Sequence, residues 1–271
     1  MATCVEAGGL TFIIDPGVAL GPSRYGLPPH PVELAAKERL WRRVVERAER
    51  AHVVVITHYH YDHHNPKEPE LFRDKVLLIK DPEKNINRSQ RGRARFFLDA
   101  VREVAREIEV ADGREFDFGS VRLLFSPAQP HGFTSRLGYV LQVLIEEGGK
   151  RFLYTSDIQG APLPEHVDFI LDTRPDIIFM DGPATYLYPV RFSPKALEAS
   201  LEHISLILDR VGPEHLIVDH HTTRDINYMR WFKGLRTITA ARFMGKEEMF
   251  LEAWRKRLYR DEVGFSPEQV Q

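Results

Sequence analysis

Apolar residues along this chain follow two different periods, and the period changes from segment to segment. Helical spacing marks four stretches, which are 32–51, 89–108, 193–211 and 246–259. Short runs of β-branched and other apolar residues predict strands at 10–15, 52–58, 75–81, 120–127, 138–147, 151–157, 176–181 and 215–221. Because the strands dominate the middle and the helices lie at both ends and between the halves, the pattern favours sheets covered by helices, a layered α/β arrangement.

Turn and capping residues separate these elements. The stretch 21–31 is rich in Pro and Gly and is long enough to form a lid over a site. The pair Gly148-Gly149 predicts a hairpin turn between two of the strands. Ser193-Pro194 predicts a helix start, because serine can cap a helix and proline fits its first turn.

The composition is that of an ordinary globular protein. Of the 271 residues, 43% are hydrophobic and 28% are charged, and no apolar run approaches the roughly 20 residues needed to cross a bilayer. No repeat or low-complexity linker divides the chain, so we expect a single domain over 1–271. The first residues lack a basic segment followed by an apolar one, which favours a cytoplasmic location. Few Asn and Gln beside many Arg and Glu indicate a thermophilic source.

Histidines are concentrated directly after one predicted strand. The stretch 57–64, THYHYDHH, holds four of the 12 histidines of the chain. Side chains at i and i+2 of an extended segment point the same way, so His58, His60 and Asp62 are expected to converge, with His63 turned toward a neighbouring position. Since Cys4 is the single cysteine, a thiolate-rich cluster is excluded, and imidazole and carboxylate are the ligands left for zinc, iron or manganese.

This stretch matches the T-H-x-H-x-D-H motif and resembles the metallo-β-lactamase superfamily. The likeness continues along the chain through IIDPG at 13–17, His131 in SPAQPHG, Asp157 in YTSD, and the pair His220 and His221 in IVDHH. The resemblance implies an α/β fold, a four-layer αββα metallo-β-lactamase sandwich, with a two-metal site at one sheet edge. The chain looks closest to stand-alone, archaeal-type metal-dependent hydrolases of that superfamily.

The resemblance also implies a ligand set for two divalent metal ions, with zinc expected and iron or manganese as alternatives. His58, His60 and His131 would hold one ion. Asp62, His63 and His220 (or His221) would hold the other, and Asp157 would bridge the two. His131 could instead end a loop, and Asp157 could cap a turn. His64 is expected to support the ligands or to lie at the surface.

Two divalent ions that share a water imply hydrolysis by an activated hydroxide at neutral pH. Asp62 is the catalytic candidate, because its carboxylate could orient the hydroxide and later protonate the leaving group. The expected substrate is a phosphodiester or another small ester-type molecule. The alternatives are a lactonase or thioesterase, and a non-catalytic metal-containing binding protein of the same fold.

A basic segment follows the histidine motif. The residues 84–95 include five basic side chains and no acidic one, and we expect a basic helical insertion around 84–109. Arg91, Arg93 and Arg95 are candidates to bind a phosphate-bearing substrate, because Arg offers paired donors to phosphate oxygens. They could instead solvate an exposed helix face. Nucleic acid is a less favoured partner than a small molecule, since the net charge is −2 and no basic, aromatic-interleaved surface is evident.

Overall fold

The computed structural model describes residues 1–270. The α-helices of this part of the chain are α1 (Pro31–Glu49), α2 (Arg88–Val101), α3 (Pro164–Thr173), α4 (Pro194–Arg210), α5 (Ala240–Phe243) and α6 (Leu251–Leu258). The strands are β1 (Thr3–Ala7), β2 (Leu10–Ile14), β3 (Val53–Ile56), β4 (Val76–Ile79), β5 (Glu107–Val110), β6 (Glu115–Phe118), β7 (Val121–Phe125), β8 (Gln129–Pro130), β9 (Tyr139–Val140), β10 (Val143–Glu147), β11 (Lys150–Tyr154), β12 (Ile177–Asp181) and β13 (His215–Asp219).

The described residues form two compact units, each with its own sheet and helices. The first unit comprises 1–79, 89–109 and 249–270, and the second comprises 80–88 and 110–248. Sheets accompanied by helices in both units agree with the α/β class that the sequence pattern indicates. The single domain over 1–271 and its insertion around 84–109 stay predictions.

The sheet of the first unit brings the ends of two strands together. Its strand order is β1-β2-β3-β4-β5, in which β2, β3 and β4 are parallel. All four residues of β3 are buried, as its β-branched run predicts for a strand covered on both faces. Because parallel strands end at the same edge, Asp15, which follows β2, lies beside the 57–64 segment, which follows β3.

The helices of the first unit anchor the loop that precedes α1. Glu33, in the first turn of α1, forms a fully buried ion pair with Arg255 of α6. Nη1 of Arg255 also donates to the backbone carbonyls of Gly21 and Leu27, at 3.0 and 3.2 Å. The structure therefore ties down the 21–31 stretch, and it gives no support to the interpretation of this stretch as a lid.

The sheet of the second unit has the order β13-β12-β11-β10-β7-β6. The hairpin predicted at Gly148-Gly149 is confirmed, since β10 and β11 are antiparallel with Glu147 opposite Lys150. The strands β11, β12 and β13 run parallel, so the residues that follow them share one edge. The helix start at Ser193 is also confirmed, since its hydroxyl accepts from the backbone N–H of Ala196 at 3.1 Å.

Some boundaries differ from the sequence pattern. The helix predicted over 89–108 ends at Val101, and the N–H of Arg106 instead donates to the Lys75 carbonyl where the chain leads into β5. The strand predicted over 138–147 divides into β9 and β10, because Gln142 donates its backbone N–H to the hydroxyl of Ser126. The last helix begins at Leu251 rather than near 246. The elements β1, β5, β6, β8, α3 and α5 are absent from the sequence-based prediction.

Within residues 1–270, the helices are all too short or too polar to cross a membrane.

Candidate functional site

The first two histidines of the motif converge as their spacing predicts. His58 is fully buried and His60 is half-buried, and Nε2 of His58 lies 3.1 Å from Nδ1 of His60. Two nitrogens that bind one tetrahedral zinc at about 2.0 Å are about 3.3 Å apart. The observed separation therefore fits two ligands of a single ion.

The third histidine of the motif is held by a carboxylate from the neighbouring strand. Oδ2 of Asp15 lies 2.8 Å from Nδ1 of His63, and both side chains are fully buried. Asp15 is itself fixed, because its two oxygens accept from the backbone N–H and the hydroxyl of Thr57 at 2.8 and 2.6 Å. A carboxylate at Nδ1 keeps the proton there and leaves the Nε2 lone pair for a metal ion. A carboxylate oxygen of Asp62 lies within 4.8 Å of a ring nitrogen of His63.

His64 is a buried support of this segment and does not lie at the surface. Its Nδ1 is 3.0 Å from the His60 carbonyl oxygen, and its ring packs edge-on against Phe97. Burial lowers the pKa of His64 to about 4, so its imidazole is neutral at pH 7. Gly17 adjoins the same backbone, and a Cβ at that position would collide with the main chain of His63 and His64. Gly17 therefore permits the close approach of the loop after β2.

In the second unit, two histidines approach one carboxylate. His131 follows β8, Asp157 follows β11 and His220 follows β13. Oδ2 of Asp157 lies 3.2 Å from Nε2 of His131 and 3.5 Å from Nε2 of His220. These distances again match those between ligands of one metal ion. Asp157 is thus placed as a carboxylate shared between imidazoles rather than as a simple turn cap.

His221, next to His220, is held by a second buried carboxylate. Nδ1 of His221 lies 2.8 and 3.0 Å from the two oxygens of Asp181, the last residue of β12. Burial, and secondly the charge of Asp157, raises the pKa of Asp181 to about 7. Burial lowers the pKa of His220 to about 4. His220 and His221 each have a ring nitrogen within 4.8 Å of a carboxylate oxygen of Asp157, so by distance either histidine can be the ligand.

Asp15 and Asp181 are the residues that sequence reasoning did not assign to the site. Each lies at the carboxyl end of a β-strand and binds Nδ1 of a histidine more than 30 residues away along the chain. The signal available was an aspartate closing an apolar strand, in IIDPG and in DIIFMD. Both carboxylates orient imidazole rings.

The three candidate arginines of helix α2 differ in their surroundings. Arg91 and Arg93 are half-buried, whereas Arg95 is exposed. The guanidinium carbon of Arg93 lies 4.9 Å from the ring centroid of Tyr61, a cation–π contact with the histidine motif. Arg93 therefore contacts the 58–63 segment directly.

Known proteins resemble this chain both in sequence and in fold. The family described as the beta-lactamase superfamily domain matches residues 11–221. A UPF0282 protein of Korarchaeum cryptofilum (strain OPF8) is 46% identical over 269 residues, which cover 96% of this chain and 89% of that protein. A UPF0282 protein of Thermococcus gammatolerans is 44% identical over 283 residues, covering 99% of this chain and 93% of the relative.

One solved structure agrees in fold. A possible metal-dependent hydrolase from Veillonella parvula DSM 2008 superposes with a TM-score of 0.58 at 14% identity, covering 88% of this chain and 92% of that one. The chain belongs to the beta-lactamase superfamily and, within it, to the archaeal UPF0282 protein family. The predicted α/β metallo-β-lactamase fold is therefore confirmed. Proteins of this fold family bind divalent metal ions, and each unit of the chain carries a candidate His/Asp cluster.

Proposed function

We propose that this protein is a metal-dependent hydrolase with a dinuclear centre of two divalent ions, zinc being our first choice. In this proposal His58, His60 and His131 would hold one ion, and Asp62, His63 and His220 would hold the other. Asp157 would be shared between the two. His221 is the alternative to His220, and iron or manganese are the alternatives to zinc, since nitrogen and oxygen ligands accept all three.

The observation that carries the proposal is the placement of Asp157. Its Oδ2 lies 3.2 Å from Nε2 of His131 and 3.5 Å from Nε2 of His220. All three side chains are at most 10% exposed. Burying a carboxylate and imidazoles together is costly unless they share a charged partner, and a divalent cation is such a partner. The His58–His60 pair offers the same ligand spacing in the first unit.

The chain supplies the proton-handling and orienting groups for hydrolysis. When bound, two divalent ions lower the pKa of water toward neutrality and polarise the bond that is attacked. Asp62 is half-buried, and its carboxylate accepts a proton from the attacking water and returns it to the leaving group. Asp15 fixes the ring of His63, so that its Nε2 lone pair keeps one direction during turnover.

The proposed substrate is a small phosphodiester or another small ester-type molecule. The stacking of Arg93 on Tyr61 supports an anionic substrate, because it holds a guanidinium beside the histidine motif. A guanidinium can bind two phosphate oxygens at once. Arg91 and Arg95 are kept as secondary substrate-binding candidates. Lactones and thioesters are the competing substrates.

The test combines metal content with a substrate panel. The protein is loaded with zinc, manganese or iron and assayed on bis(p-nitrophenyl) phosphate, a lactone and a thioester. Hydrolysis of the phosphodiester that Asp62→Ala abolishes, while His215→Ala leaves it unchanged, supports the proposal; His215 is an exposed histidine at the start of β13. Two bound ions with no hydrolysis on any substrate would instead favour a binding protein of the same fold.

A further inference from the structure

Helix α2 buries a polar side chain where its pattern calls for an apolar one. The buried residues of Arg88–Val101, all of which are described, are Gln90, Ala94, Phe97 and Val101. Their spacing forms one stripe on the side of the helix that packs against the unit. Gln90 is the polar member of the stripe and is fully buried. A buried carboxamide is costly unless it has hydrogen-bond partners, so its contacts indicate why it is there.

The carboxamide of Gln90 faces the second histidine of the motif. Its Nε2 lies 3.5 Å from Nε2 of His60. The opposite nitrogen of that ring, Nδ1, is the atom that lies 3.1 Å from Nε2 of His58. His60 therefore presents one ring nitrogen to its partner ligand and the other to α2. Rotating the amide of Gln90 by half a turn places its oxygen where its nitrogen now stands.

We propose that Gln90 is a positioning residue that fixes the tautomer of His60. This inference rests on the proposed function only in that His60 binds a metal ion. If His60 binds through Nδ1, its single ring proton must be on Nε2. The amide oxygen of Gln90 accepts that proton in a hydrogen bond, which holds the ring plane and keeps the Nδ1 lone pair directed at the ion.

The position of Gln90 on a helix suits this role. A ligand supported from a rigid element is held more precisely than one supported from a loop. The same helix carries Arg93, which stacks on Tyr61, the neighbour of His60 in sequence. The helix therefore meets the motif through an amide and a guanidinium, and its contribution is orientation of a ligand as well as positive charge.

The experiment compares three variants by their affinity for zinc. Gln90→Met keeps the size of the side chain and removes the acceptor, whereas Gln90→Glu keeps an oxygen acceptor. Val101→Ala is the matched control, since it disturbs the same buried stripe at the far end of the helix. Dissociation constants are measured by competition with a chromophoric chelator, and thermal unfolding of the metal-free proteins is recorded alongside. We expect Gln90→Met to weaken zinc binding about 10–100-fold, and both Gln90→Glu and Val101→Ala to retain it.

Two results would overturn the inference. One is wild-type zinc affinity in Gln90→Met, and the other is an equal loss of affinity in Val101→Ala, which would make the effect one of helix packing. The variant His60→Ala separates this inference from the proposed function. If His60→Ala still binds two ions, the ligand assignment fails. If His60→Ala loses an ion but Gln90→Met does not, the role of Gln90 alone is wrong.

Discussion

Nδ1 of His63 lies 2.8 Å from Oδ2 of Asp15, and neither side chain is exposed to solvent. The two residues are 48 positions apart in sequence and meet because β2 and β3 are parallel neighbours. The carboxylate is fixed by Thr57 and in turn fixes the imidazole. The ring of His63 therefore has one orientation before any ion arrives, which reduces the ordering that binding requires.

Asp15→Asn is expected to weaken the binding of one metal equivalent about 10–100-fold, because a neutral amide holds the Nδ1 proton of His63 less firmly than a carboxylate does. Titration with zinc followed by calorimetry measures this. Asp99→Asn, an exposed substitution on α2, serves as the control. An unchanged affinity for both equivalents in Asp15→Asn would show that this carboxylate does not orient a ligand.

The adjacent histidines after β13 are expected to respond differently to substitution. Nε2 of His220 approaches the Asp157 oxygen that His131 also approaches, so we expect His220→Ala to lower the bound metal from two ions to one. His221→Ala removes the imidazole partner of the buried Asp181 carboxyl and is expected to lower stability while both ions remain bound. Elemental analysis after gel filtration gives the metal content. One bound ion in His221→Ala and two in His220→Ala would reverse the assignment.

The local part of the site could be predicted from the sequence, and its long-range part could not. The convergence of His58 and His60 follows from the two-residue period of extended chain directly after a buried strand. The carboxylates of Asp15 and Asp181 reach their histidines through strand order, and no local pattern specifies which strands are neighbours. Gln90 shows the same limit, because helical phase predicts that it is buried but does not identify His60 as its contact.

The differences between the predicted and the observed element boundaries have a related cause. The apolar period of 89–101 continues into EIEV at 107–110, and a short apolar run fits a helix or a strand equally well. Backbone pairing with Lys75 decides in favour of extended chain. Similarly, 138–147 has the composition of one strand, and the hydrogen bond that the Gln142 backbone N–H donates to the Ser126 hydroxyl interrupts it.

The ion pair between Glu33 and Arg255 predicts a large loss of stability when one partner is removed. Arg255→Met leaves a fully buried carboxylate without its cation, which is expected to cost about 3–5 kcal/mol in the free energy of unfolding. The double variant Glu33→Gln with Arg255→Met should lose less, since no unpaired charge remains. Urea unfolding measures both, and Arg73→Met, which breaks an exposed pair with Glu70, should change little. Equal losses in the single and double variants would contradict this account.

The variant Arg255→Met should also expose the loop that Arg255 anchors in the wild type. Its guanidinium holds the carbonyls of Gly21 and Leu27, so Arg255→Met is expected to speed proteolytic cleavage within 21–31. Mass spectrometry of the early fragments locates the cut. If cleavage in this segment is as slow as in the wild type, the contacts of Arg255 do not anchor the loop.

His166, which is outside the proposed ligand set, predicts a pH dependence of stability. Burial lowers its pKa from 6.5 to about 4, while its Nε2 lies 2.9 Å from the Pro130 carbonyl oxygen. Since the folded pKa lies below the unfolded one, the unfolded chain binds the proton first. The contribution of neutral His166 is therefore complete above pH 6.5 and is lost as the pH falls toward 4. Between pH 7 and pH 5 the loss is about 2 kcal/mol.

The variant His166→Gln isolates this effect, because it keeps hydrogen-bonding groups at the position and cannot titrate. Urea unfolding of the metal-free wild type and of the variant at pH 7 and pH 5 gives the stability that each protein loses over this interval. The difference between the two losses removes the contribution of the titrating groups that both proteins share. The wild type should lose more stability than the variant over this interval. Equal losses would mean that His166 is protonated as readily in the folded protein as in the unfolded chain, in which case its burial does not keep the ring neutral.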